Sequence, residues 1–311
     1  MSNLHKGVLS ELGHNVRTLA RRGEIGIPEA VQRIKFLDQS IDAALDLALE
    51  EYERNPYAQL REVIGDLYVN AGQHVVAESI FKGMHADGEN IHVTNLIYAG
   101  IPATKALIDP NRKILFIPIP KCGSSTVKNY FTQAIYGRNY RETVHFHHPE
   151  LYHNITPDQM HTDYSDYFRF AITRDPIDRL VSYYARNVTA PSLRREALSQ
   201  LEFMGYPTKP GPRQFATMFH QFRQYFKDFR HHTDPICGYL DPFDGTLDKI
   251  YTMADLPQIR ERLGEIYGCV LDDDRSMVSK GDAQDKDICR KAASQLLTSW
   301  YARDYEAYPA G

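Results

Sequence analysis

Short apolar runs alternate with segments of helical spacing through the last two thirds of the chain. Residues 114–117 and 168–173 are such runs, and helical patterns begin after them at Val127 and Pro176. Runs of this length suit buried strands, and alternation of strands with helices is typical of α/β domains. We therefore predict a parallel sheet flanked by helices, similar to that of P-loop proteins. A further apolar run at 266–270 predicts a late strand.

The N-terminal third has a different pattern, without strand-like runs. One predicted helical face consists of Leu37, Ile41, Ala44, Leu45 and Ala48. Small and aromatic residues then follow the spacing of one tetratricopeptide repeat, at Gly65, Tyr68, Gly72, Ala77 and Phe81. Two interpretations remain open: a helical hairpin or bundle that packs on the rest of the chain, or a groove for a protein partner or a second copy.

These patterns divide the chain into three parts. We predict a helical, tetratricopeptide-like extension at 1–90, a linker at 91–112 and an α/β domain at 113–311. The linker assignment rests on glycines and a proline, which mark turns and connections (Gly83, Gly88, Gly100 and Pro102).

The segment after the first predicted strand carries the clearest chemical signal. Residues 118–126 contain Lys121 and Gly123, followed by the hydroxyl residues Ser124, Ser125 and Thr126. A tight turn that leads into a helix N-terminus binds anions, because its backbone N–H groups and the helix dipole favour negative charge. The lysine precedes the glycine, so this is not the common nucleotide loop G-x-x-x-x-G-K-[ST].

A second motif follows the strand predicted at 168–173. Arg174 stands at the strand end and Pro176 suits the first turn of a helix. Ser182 lies eight residues after Arg174, about two helical turns on.

Together the two motifs resemble those of sulfotransferases that use 3′-phosphoadenosine 5′-phosphosulfate (PAPS). The loop is similar to their Pro-Lys-x-Gly-x-[ST]-[ST] turn, and residues 174–184 are similar to their Arg-Asp-Pro-x-x-Arg-x-x-Ser-x-Tyr segment. The likeness covers about 113–311, and the closing segment 296–308 is nearest to the carbohydrate-type enzymes. The late Arg-Lys-Gly-x-x-Gly of the aryl and steroid enzymes is absent, with Ser279-Lys280-Gly281-Asp282 the nearest fragment.

The resemblance implies roles for the residues of both motifs. Lys121, Gly123 and the three hydroxyl residues would bind the 5′-phosphosulfate, and Lys121 would stabilise the leaving phosphate. Arg174 and Ser182 would bind the 3′-phosphate. The product would be adenosine 3′,5′-bisphosphate (PAP), and no metal would be required.

Transfer to an acceptor also needs a general base, for which histidine is the usual choice near neutral pH. His145 and His147 alternate with Phe146, so both point to one side of an extended segment. Glu142 is a further candidate. Five histidines fall within 145–161, but no carboxylate or cysteine pattern accompanies them, so we do not expect a metal site. Cys122 lies inside the loop and is interpreted as a small filler rather than a nucleophile.

Bulk properties exclude several classes of protein. A net charge of −4 gives no reason to expect nucleic-acid binding. No apolar run reaches the length of about 18 residues that a membrane span needs, and the first 20 residues lack a secretory signal. We therefore expect a cytoplasmic protein. The four cysteines lack C-x-x-C spacing and predict neither a zinc site nor a disulfide framework.

The sequence thus predicts a PAPS-dependent sulfotransferase. It would act on a hydroxyl or, as the second choice, an amine of a carbohydrate or small natural product. A nucleotide-dependent phosphotransferase is disfavoured, because the Ser/Thr after Gly-Lys that holds Mg²⁺ is missing. The other alternative is an inactive, sulfotransferase-like helical scaffold. Homodimer or protein contacts would involve the N-terminal helices.

Overall fold

The computed structural model describes residues 16–20, 22–140, 144, 147–188, 201–273 and 281–308. The helices are α1 (Ile27–Leu37), α2 (Ile41–Arg54), α3 (Ala58–Asn70), α4 (His74–Ala86), α5 (Val93–Tyr98), α6 (Ser124–Tyr136), α7 (Pro157–His161), α8 (Pro176–Tyr183), α9 (Pro212–Thr217), α10 (Phe219–Tyr225), α11 (Lys227–Thr233), α12 (Ile236–Leu240), α13 (Leu256–Tyr267), α14 (Ala283–Leu297) and α15 (Ala302–Ala307). The strands are β1 (Thr104–Asp109), β2 (Ile114–Ile117), β3 (Tyr152–Ile155), β4 (Phe168–Thr173), β5 (Glu202–Phe203), β6 (Tyr206–Pro207) and β7 (Lys249–Thr252). A π-helical turn, Tyr184–Val188, continues α8.

The chain forms two compact units. The helical unit comprises Met1–Ile101, Ala190–Pro210 and Met218–Arg230. The sheet unit comprises Pro102–Thr189, Gly211–Thr217 and His231–Gly311.

In the helical unit, α1, α2 and α3 bury their apolar faces in one core. The face predicted for α2 is confirmed: Ile41, Ala44, Leu45 and Ala48 are buried, and Leu37 packs at the margin of the same core. Helical spacing of apolar residues is enough to predict such a face, because each side of a helix meets its neighbour along one stripe.

Helices α3 and α4 form a hairpin that depends on a glycine. The turn between them places Gly72 at a φ of 73°, where a residue without Cβ is favoured. A Cβ at Gly65 would lie 2.5 Å from Phe81 Cε1, so the buried Phe81 ring packs directly on the backbone of α3. The small–aromatic pairing expected between these helices is present. The tetratricopeptide-like character of the hairpin stays a prediction.

Charged residues also hold the helical unit together. Asp66 on α3 accepts from Lys227 Nζ at 2.7 Å and from Arg230 Nη2 at 2.9 Å, at the start of α11. Burial raises the pKa of Asp66, but the two cations outweigh burial and lower it.

The sheet unit contains a five-stranded sheet in the order β3-β1-β2-β4-β7. Strands β2, β4 and β7 are parallel, as predicted, with Phe116 opposite Phe170. Strand β1 is antiparallel to both β2 and β3, so the sheet is mixed. The reason is local: four residues connect β1 to β2, and a connection this short can only form a hairpin.

The predicted linker at 91–112 differs from the structure. It contains α5 and the buried strand β1, and its glycines and prolines separate these elements rather than mark an unstructured connection. The late strand predicted at 266–270 is wrong. Residues 266–267 complete α13, whose buried Ile259 and Leu263 give it a packed face, and Gly268 ends the helix at a φ of 69°.

Aromatic side chains fill the space between the sheet and α6. Phe116 on β2 stacks on Phe170 of β4, with ring centroids 5.0 Å apart, and on Phe131 of α6 at 6.4 Å. This packing fixes α6 against the face of the sheet and determines where its N-terminus lies. Among the described residues, no helix combines the length and apolarity that crossing a bilayer demands.

Gly65→Ala should destabilise the protein by about 1–3 kcal/mol, because the new methyl group would overlap the Phe81 ring. Chemical unfolding would measure the loss. Gly83→Ala on α4 is the matched control: its Cβ would meet only the end of the Arg61 side chain, which can move. The control should be neutral or stabilising by up to about 1 kcal/mol. Equal losses in both variants would contradict the Gly65 packing.

Candidate functional site

The two anion motifs meet at the carboxyl ends of two neighbouring inner strands of the sheet. Strands β2 and β4 are adjacent and parallel, with Ile117 opposite Ala171. Their carboxyl ends therefore lie side by side, which is where ligands bind in sheets of this kind. Residues 118–123 leave the end of β2, and Arg174 follows the end of β4. The sheet order thus brings together two segments that are about 50 residues apart in the sequence.

The loop after β2 has an unusual backbone. Lys121 has a φ of 63°, in the left-handed region, and Gly123 has a φ of 71°. A Cβ at Gly123 would lie 3.1 Å from Met253 Sδ and 3.4 Å from Leu256, so the position is crowded as well as left-handed. Helix α6 begins directly after it at Ser124. Ser124 and Thr126 are buried and Ser125 is half-buried, so three hydroxyls lie in the first turn of α6.

Two arginines bind the carbonyl groups of this loop. The Arg179 side chain is 1% exposed; its Nε donates to the Pro120 carbonyl at 3.2 Å, and both terminal nitrogens donate to the Asp234 carbonyl at 3.1 Å. Arg174 Nη1 donates to the Lys121 carbonyl at 3.4 Å. The guanidinium groups therefore hold consecutive residues of the loop and stabilise its left-handed turn.

The side chain of Lys121 contacts the end of α8 and the π-helical turn. Its Nζ donates to Asn187 Oδ1 at 2.5 Å and lies 5.5 Å from the centroid of the Tyr183 ring. Sequence reasoning missed both residues, although they follow Ser182 on the same helical segment. Tyr183 ends α8 and Asn187 lies in the π-helical turn, and no motif in the sequence pointed to either of them.

Arg174 and Ser182 occupy the second half of the site. Asp175 caps α8 by accepting from the Asp178 N–H at 2.8 Å, and Ser182 lies half-buried near the end of that helix. Within the described part of the chain, Arg174 makes no ion pair with a carboxylate. Its charge is therefore not neutralised by any described acidic residue, as a site for a phosphate requires.

A comparison with models of protein families agrees with this geometry. The model described as the sulfotransferase family matches residues 104–309, about two thirds of the chain. The chain belongs to the sulfotransferase family. No curated protein and no solved structure matched it. The family match begins at β1, the strand that the sequence had assigned to a linker.

The candidate bases of this sulfotransferase are only partly described. His145 and Glu142 lie outside the described residues. The ring of His147 stacks on Tyr140 at 3.8 Å, and that of its neighbour His148 stacks on Tyr136 at 3.6 Å. Tyr136 is the last residue of α6. The loop of residues 118–123, here called the phosphate loop after the role proposed for it below, lies at the other end of α6, about 18 Å away along the helix axis. These contacts place His147 near the C-terminal end of α6, and its role as the base stays a prediction.

The cysteine inside the loop has no catalytic character. Cys122 is buried, and burial raises the pKa of its thiol to about 11. The thiolate that would act as a nucleophile is therefore suppressed despite the neighbouring cations. All four cysteines are free. In the described ranges, no group of three histidine, cysteine or acidic side chains is arranged to hold a metal ion.

The closing segment of the sulfotransferase supports the site from outside. Asp304 accepts from the N–H groups of Ile236 and Cys237, both at 2.8 Å, and Tyr301 donates its hydroxyl to the Thr233 carbonyl at 2.9 Å. These bonds flank Asp234, whose carbonyl binds Arg179. Of the fragment 279–282, only Gly281 and Asp282 are described, and Asp282 caps α14.

Ellman's reagent should find one fast-reacting thiol in the folded protein, because Cys269 is exposed while Cys122 and Cys289 are buried. Cys237 is half-buried, and burial raises the pKa of its thiol to about 12, so it should react slowly. At pH 8 a thiol with a pKa near 11 is only about 0.1% thiolate. Cys269→Ser should remove the fast phase, and Cys122→Ala should leave it unchanged. A fast phase that disappears in Cys122→Ala would show a reactive loop thiol.

Proposed function

We propose that this sulfotransferase transfers a sulfuryl group from PAPS to a hydroxyl of a carbohydrate or small natural product, with an amine as the second choice of acceptor. One observation carries the proposal. The loop that bears Lys121 and the strand end that bears Arg174 come from adjacent parallel strands and are joined by the bond from Arg174 to the Lys121 carbonyl. Cations that would serve the two ends of PAPS thus share one edge of the sheet.

The chemistry of the donor groups fits such a nucleotide. Two cations, three hydroxyls in the first turn of α6 and the N-terminus of that 13-residue helix all favour anionic oxygens. When bound, PAPS supplies an activated sulfuryl group attached to its 5′-phosphate. The phosphotransferase alternative gains no support, because the loop lacks the Gly-Lys-[ST] arrangement that holds Mg²⁺.

Lys121 would act at the 5′ end. Its ammonium group lies beside Asn187 and the Tyr183 ring, and it would hydrogen-bond oxygens of the sulfuryl and phosphate groups. Negative charge builds up on the leaving phosphate as the bond to sulfur breaks, and a positioned cation stabilises that charge more in the transition state than in the ground state. The hydroxyls of Ser124, Ser125 and Thr126 and the N-terminus of α6 would bind the remaining oxygens.

Arg174 and Ser182 would bind the 3′-phosphate and so distinguish PAPS from ATP and 5′-AMP, which lack it. Arginine suits this role because its fixed donors match phosphate oxygens in pairs. A base from the segment 142–147, His145, His147 or Glu142, would take the proton from the acceptor. We also propose that the helical unit, with its tetratricopeptide-like hairpin, contacts a protein partner or a second copy.

Calorimetric titration should show that PAP binds more tightly than ATP or 5′-AMP. In Arg174→Ala, PAP should bind about 10–100-fold more weakly, since a hydrogen bond to a charged group contributes about 1.5–3 kcal/mol. ATP binding should weaken less than PAP binding in the same variant, because only the support that Arg174 gives the loop is lost. Arg262→Ala, which removes an exposed arginine of α13, is the control. Equal affinity for PAP and ATP in the wild-type protein would refute the assignment of the nucleotide.

Lys121→Ala should lower turnover about 100–1,000-fold, the usual loss when one donor to a developing anion is removed. Turnover would be measured as release of PAP from PAPS with an acceptor found by screening the wild-type protein. Lys249→Ala on β7 provides a matched control. Near-normal turnover in Lys121→Ala, with an intact fold, would remove the lysine from the mechanism.

A further inference from the structure

The structure assigns Asn187 as the residue that positions Lys121 for catalysis, an inference that rests on the proposed function. Asn187 belongs neither to the phosphate loop nor to the Arg174 motif. Its amide oxygen accepts a hydrogen bond from the Lys121 ammonium at 2.5 Å. Asn187 would act through the lysine and so is a positioning residue.

The main chain and the side chain of Lys121 need separate restraints. Arg174 and Arg179 hold the carbonyl groups of Lys121 and Pro120, which fixes the backbone. The lysine side chain has four rotatable bonds beyond this point, and its ordering costs conformational entropy. The bond to Asn187 and the contact with the Tyr183 ring restrict the far end of that chain. Binding of the nucleotide then costs less conformational entropy, because the lysine side chain is already restricted.

An amide suits this task better than a carboxylate. Asn187 accepts a hydrogen bond without carrying a charge, so this contact adds no negative charge that would compete with the sulfuryl and phosphate oxygens. A carboxylate at the same place would form an ion pair with Lys121 and compete with those oxygens. The residue type therefore agrees with a contact that orients the lysine without adding a counter-charge.

The backbone conformation around Asn187 supports its contact with Lys121. Residues 184–188 form a π-helical turn, and such turns re-aim side chains and occur frequently at functional sites. Gly281 packs against the turn: a Cβ there would lie 2.7 Å from Ala185 Cβ and 3.0 Å from the Ala185 carbonyl oxygen. The position thus admits only glycine without a shift of the turn that carries Asn187.

The same segment links the two ends of the proposed nucleotide site. Arg174 precedes α8, Ser182 lies near its end, and Asn187 follows in the π-helical turn. Asn187 therefore connects Lys121, which would bind the 5′ end of the nucleotide, to the helical segment that would bind the 3′-phosphate. One continuous helical segment would thus set the distance between the groups that bind the two anionic ends of the ligand.

The test combines turnover with a measurement that needs no substrate. Asn187→Ala should lower the rate of PAP release from PAPS by about tenfold or more, as expected for the loss of a hydrogen bond to a charged group. The affinity for PAP in calorimetry should stay within about threefold of the wild-type value, because the 3′-phosphate contacts remain. Asn111→Ala, at an exposed turn between β1 and β2, is the matched control and should change neither quantity.

A double-mutant cycle separates positioning from a general structural effect. In a Lys121→Ala background, Asn187→Ala should cause no further loss of turnover, because its effect passes through the lysine. If the two losses multiply, Asn187 acts by another route and the proposal is wrong. Gly281→Ala, which retains the Asn187 and Lys121 side chains but displaces the turn that carries Asn187, should reproduce part of the loss seen in Asn187→Ala.

Magnetic resonance of ¹³C-labelled lysine gives the readout that is independent of activity. The Lys121 signal, assigned by its absence in Lys121→Arg, should shift in Asn187→Ala. In Asn187→Asp the pKa of Lys121 should rise, because a neighbouring carboxylate favours the charged ammonium. Asn187→Asp also serves if the alanine variant does not fold. A Lys121 signal unchanged in both variants would overturn the contact itself.

Failure of the proposed function would look different. If the wild-type protein binds no PAP but the Lys121 signal responds to Asn187, the nucleotide assignment fails while the contact stands. If PAP binds and is released from PAPS normally in Asn187→Ala, the positioning role fails while the proposed function stands.

Discussion

The buried guanidinium group of Arg179 is the contact on which the rest of the site depends. Removing this charge from water costs several kcal/mol, a cost offset here by three hydrogen bonds to two carbonyl groups. One of those carbonyls belongs to Pro120, directly before the left-handed Lys121. Without these bonds the loop would lose the contact that holds Pro120, and the left-handed conformation of Lys121 would have less support.

The support for Arg179 extends far from the loop. Its second acceptor is the carbonyl of Asp234, and the neighbouring residues 233–237 are held by Tyr301 and Asp304 from the closing segment. The closing helix of this sulfotransferase thus stabilises the phosphate loop indirectly, through backbone groups. The closing segment can therefore contribute to the geometry of the site without contacting the ligand.

Cations in the site are restrained in different ways according to their task. Arg179 is buried and serves structure alone, and Arg174 remains half-buried with only one described bond, to the loop. Lys121 contacts a neutral amide and an aromatic ring, neither of which adds a counter-charge. The site thus combines a hydrogen-bonded backbone with cationic side chains, an arrangement that suits electrostatic stabilisation of a transition state.

The elements of the site that have local causes could be predicted from the sequence. Strands β2 and β4 were evident as apolar runs, and the Gly-Ser-Ser-Thr segment was evident as the start of α6, since strand burial and helix capping depend on near neighbours. The pairing of β1 with β3 and the partners of Arg179 and Lys121 depend on residues far apart in the chain. Those features required the folded structure, because hydrogen bonds to buried carbonyls and packing between elements leave no periodic trace in a sequence.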